Sequence, residues 1–312
     1  MSKKRIKWTG NEGLSLTKAF DAFVISQMAK GVKEKTTKTY RYHFKAMAKH
    51  IDMDMTFEEL TKRHIEEMIM SMRNSDLAHN SISSYVRVMK TFLNWCQAEG
   101  YTSVAVPTFK QVEVVKEGYS DDELEKLLKR PPSSDSFCDY RNWVIVNFLL
   151  NSGCRSATIR NIQNQVVNLQ TFQVIFRHTK NGKVQSIPLC NQMVQILRGY
   201  MKVRKGKDSD FLFCDQYGGM LTENALRLAI QRYNHSRGVE KTSIHLFRHT
   251  FARKYLVDCG GNAFTLQKLL GHSTLKMTKH YCAIYDADIA KNYDRFSPLA
   301  QISKPKERIS RR

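Results

Sequence analysis

The stretch His245-Leu246-Phe247-Arg248-His249-Thr250-Phe251-Ala252 opens a helical pattern that runs on to Asp258. Side chains three apart on a helix share a face, so the imidazole of His245 and the guanidinium of Arg248 can converge on a single anion. An ordinary surface helix turn carries the same spacing, so the pair needs company before it means chemistry.

Company lies on both sides. Downstream, Leu269-Leu270-Gly271-His272-Ser273 is followed by Tyr281, nine residues after the histidine. Gly271 suits a tight break after a helix, and Ser273 or Thr274 can cap the next one, about two turns ahead of Tyr281. A half-buried core tyrosine is the plain alternative for that residue. Upstream, Ser152-Gly153-Cys154-Arg155 follows the apolar helix Trp143–Leu150 and sets an arginine just after a glycine turn. Thr171–Thr179 and Lys183–Leu189 alternate like strands, and Asn181-Gly182 between them is a strong hairpin signal, because a type I′ turn needs positive φ at both central residues. Lys180 stands at that turn, and Lys183 lies just across it.

The charge balance points to a polyanion. Fifty Lys and Arg against 29 Asp and Glu leave a formal charge of +21, which disfavours the compact state unless nucleic acid neutralises it. An anionic membrane is the competing partner, but no strongly apolar amphipathic segment is present to anchor one. No run reaches the roughly 18 to 20 apolar residues of a membrane helix. The basic segment 1–13 lacks the apolar stretch of a secretion signal. A cytoplasmic protein bound to nucleic acid is expected. The seven cysteines (Cys96, Cys138, Cys154, Cys190, Cys214, Cys259 and Cys282) show no C-x-x-C spacing, and their odd number disfavours a disulfide framework. They read as reduced, mostly buried small apolar residues, and neither metal nor other cofactor is expected.

Residues 14–101 read as a helical bundle. Leu16, Phe20, Phe23 and Ile25 lie near one face of a first helix, and Thr36 and Thr37 cap a second that carries Tyr40, Phe44, Met47 and Ile51. Phe57–Met72 and Asn80–Glu99 complete it, the last with Ile82, Tyr85, Val88, Phe92 and Trp95 at helical spacing. Residues 102–118, with Pro107 and no helical period, read as an inter-domain linker. Ser120-Asp121-Asp122-Glu123 is a capping box that begins a second domain, 119–301. Its further helices are Asn191–Lys202, Asn224–Ser236 and Ala263–Leu270, and a basic tail, 302–312, closes the chain. The fold class expected is mainly α with a small antiparallel sheet (α+β).

Taken in order, Arg155, Lys180 on a hairpin, His245-x-x-Arg248, Gly271-His272 and Tyr281 resemble the catalytic signature of the tyrosine recombinases, the family of phage integrases, Xer recombinases and Cre. The wording around Leu246–Ala252 and Leu270–Ser273 is similar to the family's too, and the likeness spans nearly the whole chain. It implies a SAM-like core-binding domain at 14–101 and a catalytic domain at 119–301; with hardly any chain before Leu14, the extra arm-binding domain that some phage integrases carry is not expected. The family often carries Ser and an acidic residue two and three places after the first arginine. Here Ala157 and Thr158 occupy those places, which puts the geometry of the site in question.

The resemblance implies site-specific DNA recombination through a 3′-phosphotyrosyl link, without metal or ATP, as in a mobile-element integrase. Tyr281 is then the nucleophile, Arg155 and Arg248 hold the phosphate, and His245 and His272 add hydrogen bonds, one of them taking the phenol proton. Lys180, or Lys183 in its stead, protonates the leaving 5′-oxygen. Partners implied are double-stranded DNA recombination sites, a homotetramer in which the tail 288–301 docks on a neighbouring subunit, and accessory DNA-bending or directionality factors. Lys38, Arg41, Arg87 and Lys90 are candidate DNA contacts on charge and helix face. A type IB topoisomerase shares the chemistry, and a DNA-binding accessory protein that has lost catalysis would share the fold.

Overall fold

The computed structural model describes residues 13–109, 117–132, 136–176, 185–275, 278, 293 and 297–302. The chain divides into two compact units, one ending at Val114 and the other beginning at Val115. Both are helical, and the second adds a small antiparallel sheet.

The first unit packs four helices: α1 (Leu16–Ala29), α2 (Glu34–Met47), α3 (Lys62–Arg73) and α4 (His79–Glu99). Aromatic rings fill its centre. Phe20 stacks on Phe44 with centroids 3.8 Å apart, and Phe92 meets Phe20 edge-on at 5.4 Å. Such pairs add about 0.5–1.5 kcal/mol beyond their buried area. Three local expectations change. Ile25 is exposed, because it lies two positions past Phe23 and so faces away from it. Thr36 and Thr37 do not cap α2, which starts at Glu34; Thr37 is buried inside the helix and its hydroxyl donates to Glu34 O at 2.9 Å. The third helix starts at Lys62, where Thr61 and His64 form a capping box. Phe57 and Leu60 still reach the core, from the turn before it.

Gly100 ends α4 in the left-handed conformation. The chain then stays on the bundle: Gln97 donates to Val104 O at 2.8 Å, the Phe109 ring stacks on His79, and Val104 and Val106 pack against the same core. The first part of the expected linker thus belongs structurally to this unit.

In the second unit α5 (Asp121–Leu128) begins at the expected Ser120–Glu123 capping box. Helix α6 (Phe137–Ser152) is its axis. Every residue from Arg141 to Leu149 is buried, so this helix has no solvent face and α5, α8, α9 and α10 pack around it. A short α7 (Ser156–Arg160) leads to β1 (Val167–Asn168), β2 (Gln173–Phe176) and β3 (Gln185–Pro188), which form one antiparallel sheet in that order. Val174 pairs with Ile187, and both turn their side chains into the core. Then follow α8 (Asn191–Arg204), α9 (Glu223–His235), α10 (Ile244–Leu256), α11 (Ala263–Leu270) and α12 (Pro298–Ile302). Of the cysteines, Cys96, Cys154 and Cys214 are buried, but Cys190 and Cys259 are exposed. Cys282, residues 177–184 with the expected Asn181-Gly182 turn, and most of the expected tail helix 288–301 lie outside the described residues.

Candidate active site

Four of the six residues singled out by spacing fall within the described structure. Arg155, His245, Arg248 and His272 stand where α6, α7, α10 and α11 meet. Lys180 and Tyr281 lie outside the described residues, as does Lys183.

Gly153 is the hinge on which the site is built. It closes α6 at φ +57°, and a side chain there would drive a Cβ to 2.4 Å from the Phe251 ring on α10. Only glycine lets α10 approach this closely. The Gly153 carbonyl, buried and free of the helix ladder, then accepts from Arg248 Nη1 at 2.8 Å. Two residues on, half-buried Arg155 occupies the N-cap position of α7. Ala157 is exposed and Thr158 half-buried on that short helix.

Arg248 is almost wholly buried, and its neighbours explain how a charge is kept there. Besides Gly153 O, the guanidinium reaches Leu270 O at 3.0 Å and His272 Nε2 at 2.6 Å, both through Nη2. The Leu270 carbonyl is available because Gly271 ends α11 in the left-handed region, φ +62°. Gln185, the first residue of β3, donates to Leu269 O at 2.6 Å, and a Cβ on Gly271 would sit 2.8 Å from its side-chain oxygen. The strand pair therefore leaves the described region beside the loop that holds His272.

His272 is itself buried, with Nδ1 2.8 Å from the hydroxyl of the fully buried Thr278. Burial, then the cations Arg248 and Arg155, lower its pKa to about 4. The ring is neutral at physiological pH. His245, in the first turn of α10, is exposed instead. It borders a groove of about 580 Å³ that Ser156, Asn224, Arg227, Gln231 and Thr242 also line.

A second set of contacts fixes the start of α10. Tyr119 N donates to Thr250 Oγ1 at 2.8 Å, its ring packs 4.3 Å from Phe247, and its hydroxyl lies 3.2 Å from Lys241 O and 3.3 Å from Ser243 O. Asn234, at the end of α9, donates to both the Tyr119 hydroxyl and Lys241 O. Burial pushes the phenols of Tyr119, Tyr200 and Tyr233 well above their ordinary value. Those three are poor nucleophiles.

Sequence reading missed Thr278, Tyr119, Asn234 and the polar face of α9. Asn224, Arg227 and Gln231 do recur at helical spacing, so that face was open to detection. Thr278 and Tyr119 act through single hydroxyls whose partners come from distant segments, and no local pattern marks them.

The candidate DNA contacts are surface groups. Lys38 pairs with Glu34 at 2.8 Å and Arg41 with Asp21 at 2.9 Å, all four exposed, while Arg87 and Lys90 are exposed on α4. Exposed pairs of this kind contribute about 0–1 kcal/mol, so a phosphate can displace them at little cost.

Comparison with known proteins adds the lineage. The pattern described as the Phage integrase family matches residues 119–288, and that of the Phage integrase SAM-like domain matches residues 15–111. Tyrosine recombinase XerD of Staphylococcus haemolyticus is 25% identical over 287 residues, covering 88% of this chain and 96% of that protein. Among solved structures, the Tn1549 transposon integrase in complex with circular intermediate DNA superposes with a TM-score of 0.73 at 18% identity, over 90% of this chain and 99% of that one. A lambda integrase tetramer bound to a Holliday junction gives 0.72 at 16% identity, over 96% of this chain and 81% of that one. The two solved structures share the fold.

Proposed function

This chain belongs to the phage integrase family and is a tyrosine-type site-specific recombinase that cleaves and rejoins DNA; on that premise we propose that Tyr281 attacks the scissile phosphate, with Arg155 and Arg248 holding its charge. The observation that carries the proposal is Arg248. A buried guanidinium anchored to Gly153 O, Leu270 O and His272 is preorganised before substrate arrives, and preorganised donors gain most where charge develops in the transition state.

The chemistry follows from the groups. A phosphodiester repels nucleophiles, and an in-line transition state puts more charge on its nonbridging oxygens. Arg155 and Arg248, always protonated, neutralise it without a metal. The Tyr281 phenol bonds to phosphorus and loses its proton, to which His245 on the groove side offers an acceptor. The 5′-oxygen of the deoxyribose leaves and takes a proton from Lys180, with Lys183 across the same turn as the alternative. Gln185, which ties the base of that hairpin to Leu269, supports a lysine delivered from this side. The 3′-phosphotyrosyl link keeps the phosphate ester count constant, so a 5′-hydroxyl from a partner duplex can reverse the step without ATP.

For DNA binding, the groove beside His245 joins the proposal. Arg, Asn and Gln are the side chains that pair bidentately with guanine and adenine edges, and Arg227, Asn224 and Gln231 line the groove together. Lys38, Arg41, Arg87 and Lys90 supply sequence-independent phosphate contacts. We read the working assembly as a homotetramer on two recombination sites in which 288–301 docks on a neighbouring copy. Tyr293 and Leu299, exposed at 59% and 73%, offer apolar surface for that contact. The tetramer of lambda integrase on a Holliday junction and the Tn1549 integrase on circular intermediate DNA support the reading as a mobile-element integrase; a cytoplasmic setting and DNA-bending or directionality factors complete the proposal.

A nicked suicide duplex cut from the DNA flanking the gene tests this. Wild type becomes covalently joined to it, whereas Tyr281→Phe shifts the same duplex with a Kd within about twofold and forms no adduct, because one hydroxyl adds little to a many-phosphate interface. Wild-type binding without an adduct would make the protein an accessory factor, and relaxation without strand transfer a topoisomerase.

A further inference from the structure

His272 has both ring nitrogens engaged, and the partners dictate its tautomer. Arginine carries donors only, so Nε2, 2.6 Å from Arg248 Nη2, must present a lone pair. A neutral imidazole has one N–H, which therefore sits on Nδ1 and donates to Thr278 Oγ1 at 2.8 Å. An imidazolium would set a donor against the guanidinium, and burial beside two arginines disfavours that form as well. Thr278 is fully buried, and it stands only three residues before Tyr281.

We propose that Thr278 is a positioning residue: its hydroxyl fixes the His272 tautomer whose Nε2 holds the Arg248 guanidinium, and so registers the nucleophile-bearing segment against the phosphate-binding arginine. This rests on the proposed roles of Tyr281 and Arg248, and goes beyond them. Arg248 is held from three directions: by the end of α6, by the end of α11, and by the His272 ring. The first two are backbone carbonyls locked by left-handed glycines. The third is a side chain that could rotate or change tautomer, and Thr278 is what the structure supplies to stop it. Thr278 stands three residues before Tyr281 in sequence, so the hydrogen bonds from its hydroxyl through His272 tie that stretch of chain to the guanidinium. Because Nε2 is occupied by Arg248, the phenol proton goes elsewhere, and His272 acts through Arg248.

The test compares Thr278→Val, which keeps the volume but deletes the acceptor, with Thr278→Ser, which keeps it. On the nicked duplex, Thr278→Val is expected to slow single-turnover adduct formation about 10- to 100-fold, the usual cost of losing an orienting partner, with DNA affinity unchanged within about twofold. Thr278→Ser should stay within about threefold of wild type. Independently of DNA, ¹⁵N-histidine spectra, with the His272 signal assigned from a His272→Gln difference, should show the Nδ1–H tautomer in wild type and in Thr278→Ser, and its loss in Thr278→Val. A Thr278→Val rate equal to wild type, a Thr278→Ser rate as slow as Thr278→Val, or an Nε2–H ring in wild type would overturn the inference. The last readout decides the matter even where Thr278→Val fails to fold. Should wild type itself form no adduct, the nucleophile assignment fails, and the tautomer still settles the relay.

Discussion

At the scale of single residues, the site joins one always-charged group to one kept neutral. Arg248 is buried with hydrogen-bonding neighbours on three sides, and His272 beside it is held near a pKa of about 4, against an ordinary 6.5, by burial and by the charges of Arg248 and Arg155. The unfolded chain protonates this ring at a higher pH than the folded one. Between about 6.5 and about 4, unfolding takes up a proton, so stability is complete above that window and is lost as pH falls through it. Urea unfolding at pH 7 and pH 5 should show wild type losing more stability than His272→Gln. Equal losses would contradict the neutral, buried ring. The residue types and spacings of Arg155, His245, Arg248 and His272 were readable in the sequence. Their atomic partners were not, because Arg248 is satisfied by carbonyls 95 and 22 residues away and no local window contains them.

Among the elements, α10 matters most, since it carries both His245 and Arg248. Its entry is held by the Tyr119 phenol, which bridges Lys241 O, Ser243 O and Asn234. Tyr119→Phe takes one of two acceptors from the buried Asn234 amide and a donor from the Lys241 and Ser243 carbonyls, at a cost of about 1–3 kcal/mol. The unfolding free energy of the full chain should fall by that amount, read as a lower urea midpoint at unchanged slope, and an unshifted midpoint would remove Tyr119 from this role. Elements with local signals were legible: the Ser120–Glu123 capping box, the Gly271 stop after α11 and the strands that flank Asn181-Gly182. Others were decided by tertiary contact. Helix α3 starts at Lys62, capped by Thr61, although the apolar pattern begins at Phe57, because Phe57 and Leu60 bury equally well from a turn. Thr37 looks like a cap by composition, yet its hydroxyl folds back onto Glu34 O and leaves the residue inside α2.

For the whole molecule, a charge of +21 on a chain with two helical units calls for a polyanionic partner. A recombinase that cuts and rejoins DNA supplies the reason. Fold class followed from periodicity, whereas the reaction followed from the resemblance of six ordered residues to a family, and the four that the structure describes are held by contacts no spacing encodes. The central claim is a covalent one: the Tyr281 oxygen bonds to a phosphorus held by Arg155 and Arg248. Tandem mass spectrometry of the nuclease- and protease-trimmed adduct tests it most directly. A 3′-phosphonucleotide on Tyr281 is the predicted result, and the same group on Tyr285, Tyr293 or any other residue would contradict it.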